Sequence, residues 1–365
     1  DHLGEAILGE KEAQRRLQVY LEDLAKPDVE YISIKISTIF SQIHLLAWEH
    51  CIENLAERLR RLYREAMKHP FEKEDGSKVQ KFVNLDMEEY RDLQLTKELF
   101  QKVLSEPEFI QFSAGIVLQA YLPDCFPIQK ELTEWSIERM KKGGAPIKIR
   151  IVKGANLAME QFEASVRGWP QAPYKLKSHV DANYKRMVTY GCQKEHAKAV
   201  HLGIGSHNLF DIAYAMLLRA ENEVEHCVSF EMLEGMADPM RRVVQTLSKD
   251  ILLYCPVAVK EDFQSAIAYL IRRLDENTGP ENFLRYTFGL TPGSTEWEDQ
   301  VLKFSKSCYE MDITFSGPRR TQNRFDPAPL FSIDTPFDNE ADTDFALPIN
   351  RKWAVEMARE WEHKK

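Results

Sequence analysis

Pro146–Lys153 reads PIKIRIVK and runs directly into Gly154-Ala155. Isoleucine alternates with Lys148 and Arg150, the period of a strand whose two faces differ in character. Lys148 and Arg150 share one face, whereas Lys153 has the opposite parity. Gly154 suits a close backbone turn, which explains how Arg150 and Lys153 serve one place from opposite faces. Lys148 points the same way as Arg150 but lower in the fold, and the sequence gives it no evident role.

Six more short apolar, β-branched runs accompany this one: Tyr31–Ser37, Phe82–Met87, Gly115–Leu122, Ala199–Gly205, Glu225–Glu231 and Ile251–Pro256. Helix-patterned stretches such as Trp48–Lys68 and Asp211–Ala220 lie between them. Repeated strand–helix units predict parallel strands joined by helical crossovers, hence an α/β protein. An eighth strand, from the N-terminal segment ending near Leu3-Gly4-Glu5, would close a (βα)8 barrel. An open doubly wound sheet is the alternative, but no strand leads into G-x-G-x-x-G or a P-loop.

Composition narrows the partners. The chain has 365 residues, 44% of them hydrophobic, enough for one large core. Its net charge of -9 argues against nucleic acid and against a polybasic membrane patch. No apolar run approaches the roughly 18 residues of an integral membrane segment. Asp1-His2-Leu3-Gly4-Glu5 has no basic or apolar signal-peptide region, and with no initiator Met the chain is expected to be cut from something longer. The six cysteines show no C-x-x-C spacing and are expected to be buried, reduced thiols in a cytoplasmic protein.

In a barrel, chemistry sits where strands end. Lys35, Asp86, Gln119, Arg150 with Lys153, Ser206-His207-Asn208, Glu231 and Tyr254 all fall at or near such ends. Any one of them alone reads as a loop-anchoring ion pair; their convergence on one mouth is the signal. After the last strand, Glu261–Asn277 patterns as an amphipathic helix with Tyr269, Arg272 and Arg273 on one face. Two adjacent guanidiniums suit a carboxylate or phosphate. A solvated basic patch tied to Asp275 and Glu276 remains the other reading at this point.

Several of these runs resemble motifs of the proline dehydrogenase family. Arg150-Ile151-Val152-Lys153-Gly154-Ala155 resembles its R-x-V-K-G-A signature, and Tyr254-x-Pro256-Val257 its Y-x-P-V. Tyr269-Leu270-Ile271-Arg272-Arg273-Leu274-x-Glu276-Asn277 resembles Y-L-x-R-R-L-x-E-N, and the likeness runs from about Asp1 to about Phe283. The resemblance implies a distorted (βα)8 barrel that uses FAD to oxidise L-proline to Δ1-pyrroline-5-carboxylate, with electrons passed to a membrane quinone. It implies that Arg272 and Arg273 grip the proline carboxylate, with Lys35 supporting that end. Tyr254, Tyr269 and Leu233 would wall the ring, and Glu5 would pair with Arg272 as a gate. Arg150 would lie near flavin N5, Lys153 near N1 and the C2 carbonyl, and Gln119 on the pyrimidine edge. Asp86, Gly154, Ala155, Ser206, His207, Asn208, Glu276 and Phe283 match positions that line the flavin. These roles suit the chemistry, since the flavin takes the hydride while the protein orients and polarises.

The chain departs from the family pattern at Asn156-Leu157, Leu176, Ser206, Glu231 and Glu234. Glu231 stands where Gln is usual, and a carboxylate there is expected to lower the flavin potential. Residues 1–290 are expected to form the barrel. Residues 291–365 are expected to hold a helix, a linker over Gly317–Asp344 and the start of a missing aldehyde dehydrogenase half. That last expectation rests on Asn339–Phe345 and Asn350-Arg351, which resemble the opening of that half in the bifunctional proline utilization A enzymes. The resemblance implies a cytoplasmic protein that can sit peripherally at the inner face of the membrane. Three rival functions stand beside this one: a Schiff-base lyase using Lys153, a metal-dependent barrel recruiting His207, Asp181 and Glu231, and a non-catalytic ligand-binding module.

Overall fold

The alternation of PIKIRIVK recurs around a parallel sheet of seven strands in a computed structural model, which describes residues 1–4, 7–249, 251–260, 263–327 and 339–362. The strand β1 (Tyr31–Ile34) is followed by a small antiparallel pair, β2 (Phe71–Glu72) and β3 (Lys78–Val79). Then come β4 (Phe82–Leu85), β5 (Gly115–Gln119), β6 (Ile147–Val152), β7 (Val200–Gly205), β8 (Val228–Leu233) and β9 (Ile251–Tyr254). The main sheet runs β1-β4-β5-β6-β7-β8-β9 with every pairing parallel and helices in the crossovers.

All seven expected strands are present, with shifted ends. β1 stops at Ile34 because Ile36–Ile39 turns helical. β8 starts at Val228 rather than Glu225: the chain leaves the helix Leu209–Glu221 through Glu223 at φ 56, and Glu225–Cys227 needs a further 3-10 turn before it extends. The expected eighth strand is reduced to a bridge. His2 pairs in parallel with Val257, Leu3 N donates to Val257 O at 2.8 Å and Val257 N to Asp1 O at 2.7 Å. Gly4 has φ 138, and a Cβ there would stand 2.2 Å from the Arg16 guanidinium. The sheet is thus a curled, incomplete barrel, with Lys35 Nζ at the end of β1 lying 3.6 Å from Asp1 Oδ2.

The two faces of the sheet explain where the site lies. Ile32, Ile34, Val83, Leu85, Ile116, Leu118, Ile149, Ile151, Leu202, Ile204 and Phe230 are buried beneath the surrounding helices. The opposite parity carries Ser33, Asn84, Gln119, Lys148, Arg150, Gly203, Glu231 and Tyr254. Contacts across the curl, such as the Arg150 guanidinium 4.3 Å from the Tyr254 ring centroid, show that this face is the interior. A barrel is usually filled there by branched apolar residues. This one is filled largely by polar and charged side chains.

Beyond Phe283 the chain packs back onto the barrel. Trp297 and Phe304 of the helix Thr295–Glu310 lie 5.1 and 5.8 Å from the Phe210 ring. Within Gly317–Asp344, residues 328–338 lie outside the described ones, and the remainder is anchored. Arg320 is buried 3.5 Å from Asp344 and 3.8 Å from Glu160, with its guanidinium 4.9 Å from the Tyr90 ring. The chain continues into the helix Pro348–Glu362. All six cysteines are free thiols, four buried and two half-buried. Among the described residues no helix is long and apolar enough to cross a membrane.

Candidate functional site

Arg150 is the centre of the barrel mouth. β6 presents it inward, and Asp86, fixed beside β1 by its backbone N–H to Ile34 O (2.7 Å), meets it from the end of β4. Arg150 Nη2 donates to Asp86 Oδ1 at 3.1 Å, and the Tyr254 hydroxyl donates to Asp86 Oδ2 at 2.9 Å. On the other side Arg150 Nη1 lies 3.6 Å from Glu231 Oε2, and Glu231 Oε1 lies 2.5 Å from Lys148 Nζ. Burial would lift the Asp86 carboxyl, but Arg150, Lys35 and the Tyr254 hydroxyl together hold it below its ordinary range. Burial likewise works against the Arg150 charge, and Asp86, Tyr254 and Glu231 more than reverse this. The mouth therefore holds a permanent, immobile cation.

A second ionic cluster holds Lys153. Its Nζ sits 2.5 Å from Asp181 Oδ1 and 2.6 Å from Asp211 Oδ2. Lys177 shares Asp181 at 2.5 Å, and Lys185 shares Asp211 at 3.1 Å. Burial opposes the Lys153 charge, but the two aspartates prevail and raise its pKa well above the lysine range. That is the reverse of what an amine nucleophile needs, so the geometry disfavours the Schiff-base reading. Lys177, by contrast, is pushed down to about 8 by burial and by the neighbouring Lys153 charge.

The helix Phe263–Thr278 brings the arginine pair to the mouth with an inverted amphipathic pattern. Tyr269, Arg272 and Arg273 are half-buried, whereas Leu270, Ile271 and Leu274 are 58%, 53% and 63% exposed. A solvated basic patch would show the opposite orientation. Arg273 Nη1 meets Glu276 Oε2 at 2.7 Å, and its guanidinium lies 5.4 Å from the Tyr269 ring centroid. Burial raises the Glu276 carboxyl despite Arg273. Arg272 lines a cavity of about 280 Å³ together with Leu3, Gly4, Gln264, Ser265 and Ala268. Glu5, expected to gate Arg272, lies outside the described residues.

The remaining candidates divide by role. Gln119 Nε2 reaches the carbonyls of Met87 and Glu88 at 3.4 Å each. His207 Nε2 accepts from Leu233 N at 3.2 Å, tying the loop after β7 to the end of β8. Burial keeps the His207 pKa low, and a ring nitrogen that accepts from Leu233 N holds the neutral form. Asn208 caps the helix Leu209–Glu221 by accepting from Phe210 N at 2.9 Å, and Ser206 Oγ accepts from Asn208 N at 3.1 Å. Phe283 is buried 6.2 Å from the Phe210 ring, and Ala155 is exposed beside the mouth. Gly154 has φ 115, and a Cβ there would strike the Tyr121 ring at 2.6 Å, so only glycine suits this turn.

Among the described residues, Gln119 Oε1, Arg150 Nε and Arg273 Nε are buried without a hydrogen-bond partner. Such groups are costly unless something polar meets them; others lie elsewhere in the fold, as at Tyr20, Tyr63 and Gln129, but these three fall at the candidate site. A planar, polar cofactor with a small carboxylate substrate fits these residues. A single metal ion fits less well: His207, Asp181 and Glu231 each serve a different partner. Reading the sequence missed the grip of Asp211, Lys177 and Lys185 around Lys153. The one available signal was the i, i+4 spacing of Lys177 and Asp181 on a helix.

Comparison with known proteins gives this geometry a family. The family model described as "Proline dehydrogenase" matches residues 1–286. The bifunctional protein PutA of Escherichia coli strain K12 is 27% identical over 305 residues, covering 78% of this chain and 21% of the relative. Proline utilization A of Corynebacterium freiburgense superposes with a TM-score of 0.82 at 40% identity, covering 97% of this chain and 33% of that one. That of Bdellovibrio bacteriovorus, solved after inactivation by N-propargylglycine, gives 0.80 at 31% identity, covering all of this chain and 36% of that one. The chain thus spans about a fifth to a third of the length of these relatives. With the matched model running from Asp1 through Arg150, Lys153 and the Arg272–Arg273 pair, this chain belongs to the proline dehydrogenase family.

Proposed function

We propose that this chain oxidises L-proline to Δ1-pyrroline-5-carboxylate, the first step of proline breakdown to glutamate, with FAD as its cofactor and a membrane quinone as the final acceptor. The observation that carries the reading is the pairing of a buried, ion-paired arginine at the mouth with one inward-facing arginine pair, on a chain of this family. Bound FAD would supply the hydride acceptor at N5. The protein's part is placement and charge. Arg272 and Arg273 hold the carboxylate, and Tyr254, Tyr269 and Leu233 bound the ring, which sets the reacting carbon in place. Arg150 and Lys153 remain positive throughout and stabilise negative charge that develops above them.

The supporting shell follows from the same contacts. Asp86, Gln119, Gly154, Ala155, Ser206, His207, Asn208, Glu231, Glu276 and Phe283 would form the FAD surround, the first by holding Arg150 and Gln119 through its unpaired Oε1. Lys35 adds a cation at the carboxylate end. Residues 1–290 would form the catalytic part and 291–365 the lead into an aldehyde dehydrogenase half. The quinone would place the enzyme at the cytoplasmic face of the membrane.

The purified protein is expected to show flavin absorbance and to reduce a soluble quinone analogue only when L-proline is supplied, with the cyclic imine as product. Flavin-free protein that forms a borohydride-trapped adduct at Lys153 would support the lyase reading instead.

A further inference from the structure

The interior of the barrel contains an ion ladder whose lowest member has no role in the site described so far. From floor to mouth it runs Lys148, Glu231, Arg150, Asp86, alternating in sign. Lys148 lies two residues before Arg150 on β6 and reaches across the curl to Glu231 on β8 at 2.5 Å. Both side chains of this lower pair are largely sequestered: Glu231 is 2% exposed and Lys148 14%. The strand between them, β7, carries Gly203 opposite Arg150. A Cβ at 203 would stand 2.1 Å from Glu231 Oε1 and 3.1 Å from Lys148 Cε. The absence of a side chain at that one position lets the pair form, so the contact is built into the sheet. Below it Lys148 opens onto a floor cavity of about 270 Å³ shared with His201, Arg219, Glu225 and His226.

We propose that Lys148 is a positioning residue: it balances the Glu231 carboxylate from below and so leaves Arg150 bound to Asp86 with its charge directed at the mouth. The inference rests on the flavin-dependent reading above. Without Lys148, Arg150 would be the one close cation of Glu231 among the described residues. Arg150 would then balance both carboxylates alone, and the net charge beneath the reacting group would fall from near zero to negative. Buried charges in such a ladder are weakly screened, so one missing ammonium acts at full strength on its neighbours. This also accounts for the acid at 231, where the family usually has an amide: its charge is met within the barrel.

The test uses the FAD-loaded protein and four variants: Lys148→Met, Glu231→Gln, the double variant, and Lys148→Arg. Lys148→Met should shift the two-electron reduction equilibrium of the bound flavin about tenfold toward the oxidised form, about 30 mV. Glu231→Gln should shift it the opposite way, and the double variant should return to within about threefold of the parent. Lys148→Arg should stay near the parent. A merely structural role predicts no such opposition of sign. A second readout needs no cofactor. In cofactor-free Lys148→Met the buried Glu231 carboxylate loses its nearest cation, so this variant should melt below the parent, and adding Glu231→Gln should remove the deficit. Potentials that do not move, or single variants that shift alike and add, overturn the proposal. If cofactor-free melts behave as stated while proline never reduces the parent, the functional reading fails and the ladder stands.

Discussion

Replacing Arg272 and Arg273 together with methionine is expected to raise the KM for L-proline by at least about a hundredfold while FAD stays bound. Each guanidinium–carboxylate bond contributes about 1.5–3 kcal/mol. A hundredfold change is about 2.7 kcal/mol, so the loss of even one such bond approaches it. FAD is expected to stay because most residues proposed to hold it, among them Arg150, Lys153, Gln119 and the loop after β7, sit on other elements, Glu276 being the exception on the same helix. Arg273 is tied to Glu276 at 2.7 Å, so a single Arg273→Met change also frees a half-buried carboxylate. Steady-state kinetics of the double variant, with flavin content read from its spectrum, check both parts. An unchanged KM would return the pair to the solvated-patch reading.

Arg150→Met is expected to have a different signature. Its guanidinium lies between Asp86 at 3.1 Å and Glu231 at 3.6 Å, and over the Tyr254 ring at 4.3 Å. Removing it takes from the buried Asp86 its nearest cation, at a cost of about 3–5 kcal/mol to the fold. Loss of a preorganised charge beside the reacting group should lower kcat by about 10²–10³-fold beyond any loss of folded protein. Raising the proline concentration should not recover that rate, which separates this variant from the Arg272/Arg273 pair. Thermal melting and single-turnover reduction report the two effects independently. Arg150→Lys keeps the charge but not the fork, so it should restore most of the stability and only part of the rate.

What could be read from the sequence was what repeats or what is local. The seven strands follow from alternation, and the neighbouring placement of Tyr269, Arg272 and Arg273 follows from helical spacing. The parity of Lys148 and Arg150 correctly put both in the barrel interior. The partners were out of reach, because they come from strands and helices far apart in the chain. Lys148 gains its meaning from Glu231, 83 positions away, and from the bare backbone at Gly203. Lys153 looked like an open cation or a nucleophile until Asp181 and Asp211 closed around it. β8 was placed three residues early, since the extra turn at Glu225–Cys227 leaves no apolar period to read. Arg320 lies in a stretch without periodicity, so nothing local signalled its burial against Glu160 and Asp344.

The proposed reaction is hydride transfer from proline to FAD held in this charged mouth. Anaerobic titration of the FAD-loaded protein with L-proline tests it most directly. The expected result is progressive bleaching of the oxidised flavin band, complete at saturating proline, with one equivalent of the cyclic imine formed per flavin. A protein that carries FAD and keeps it fully oxidised at any proline concentration would contradict the account.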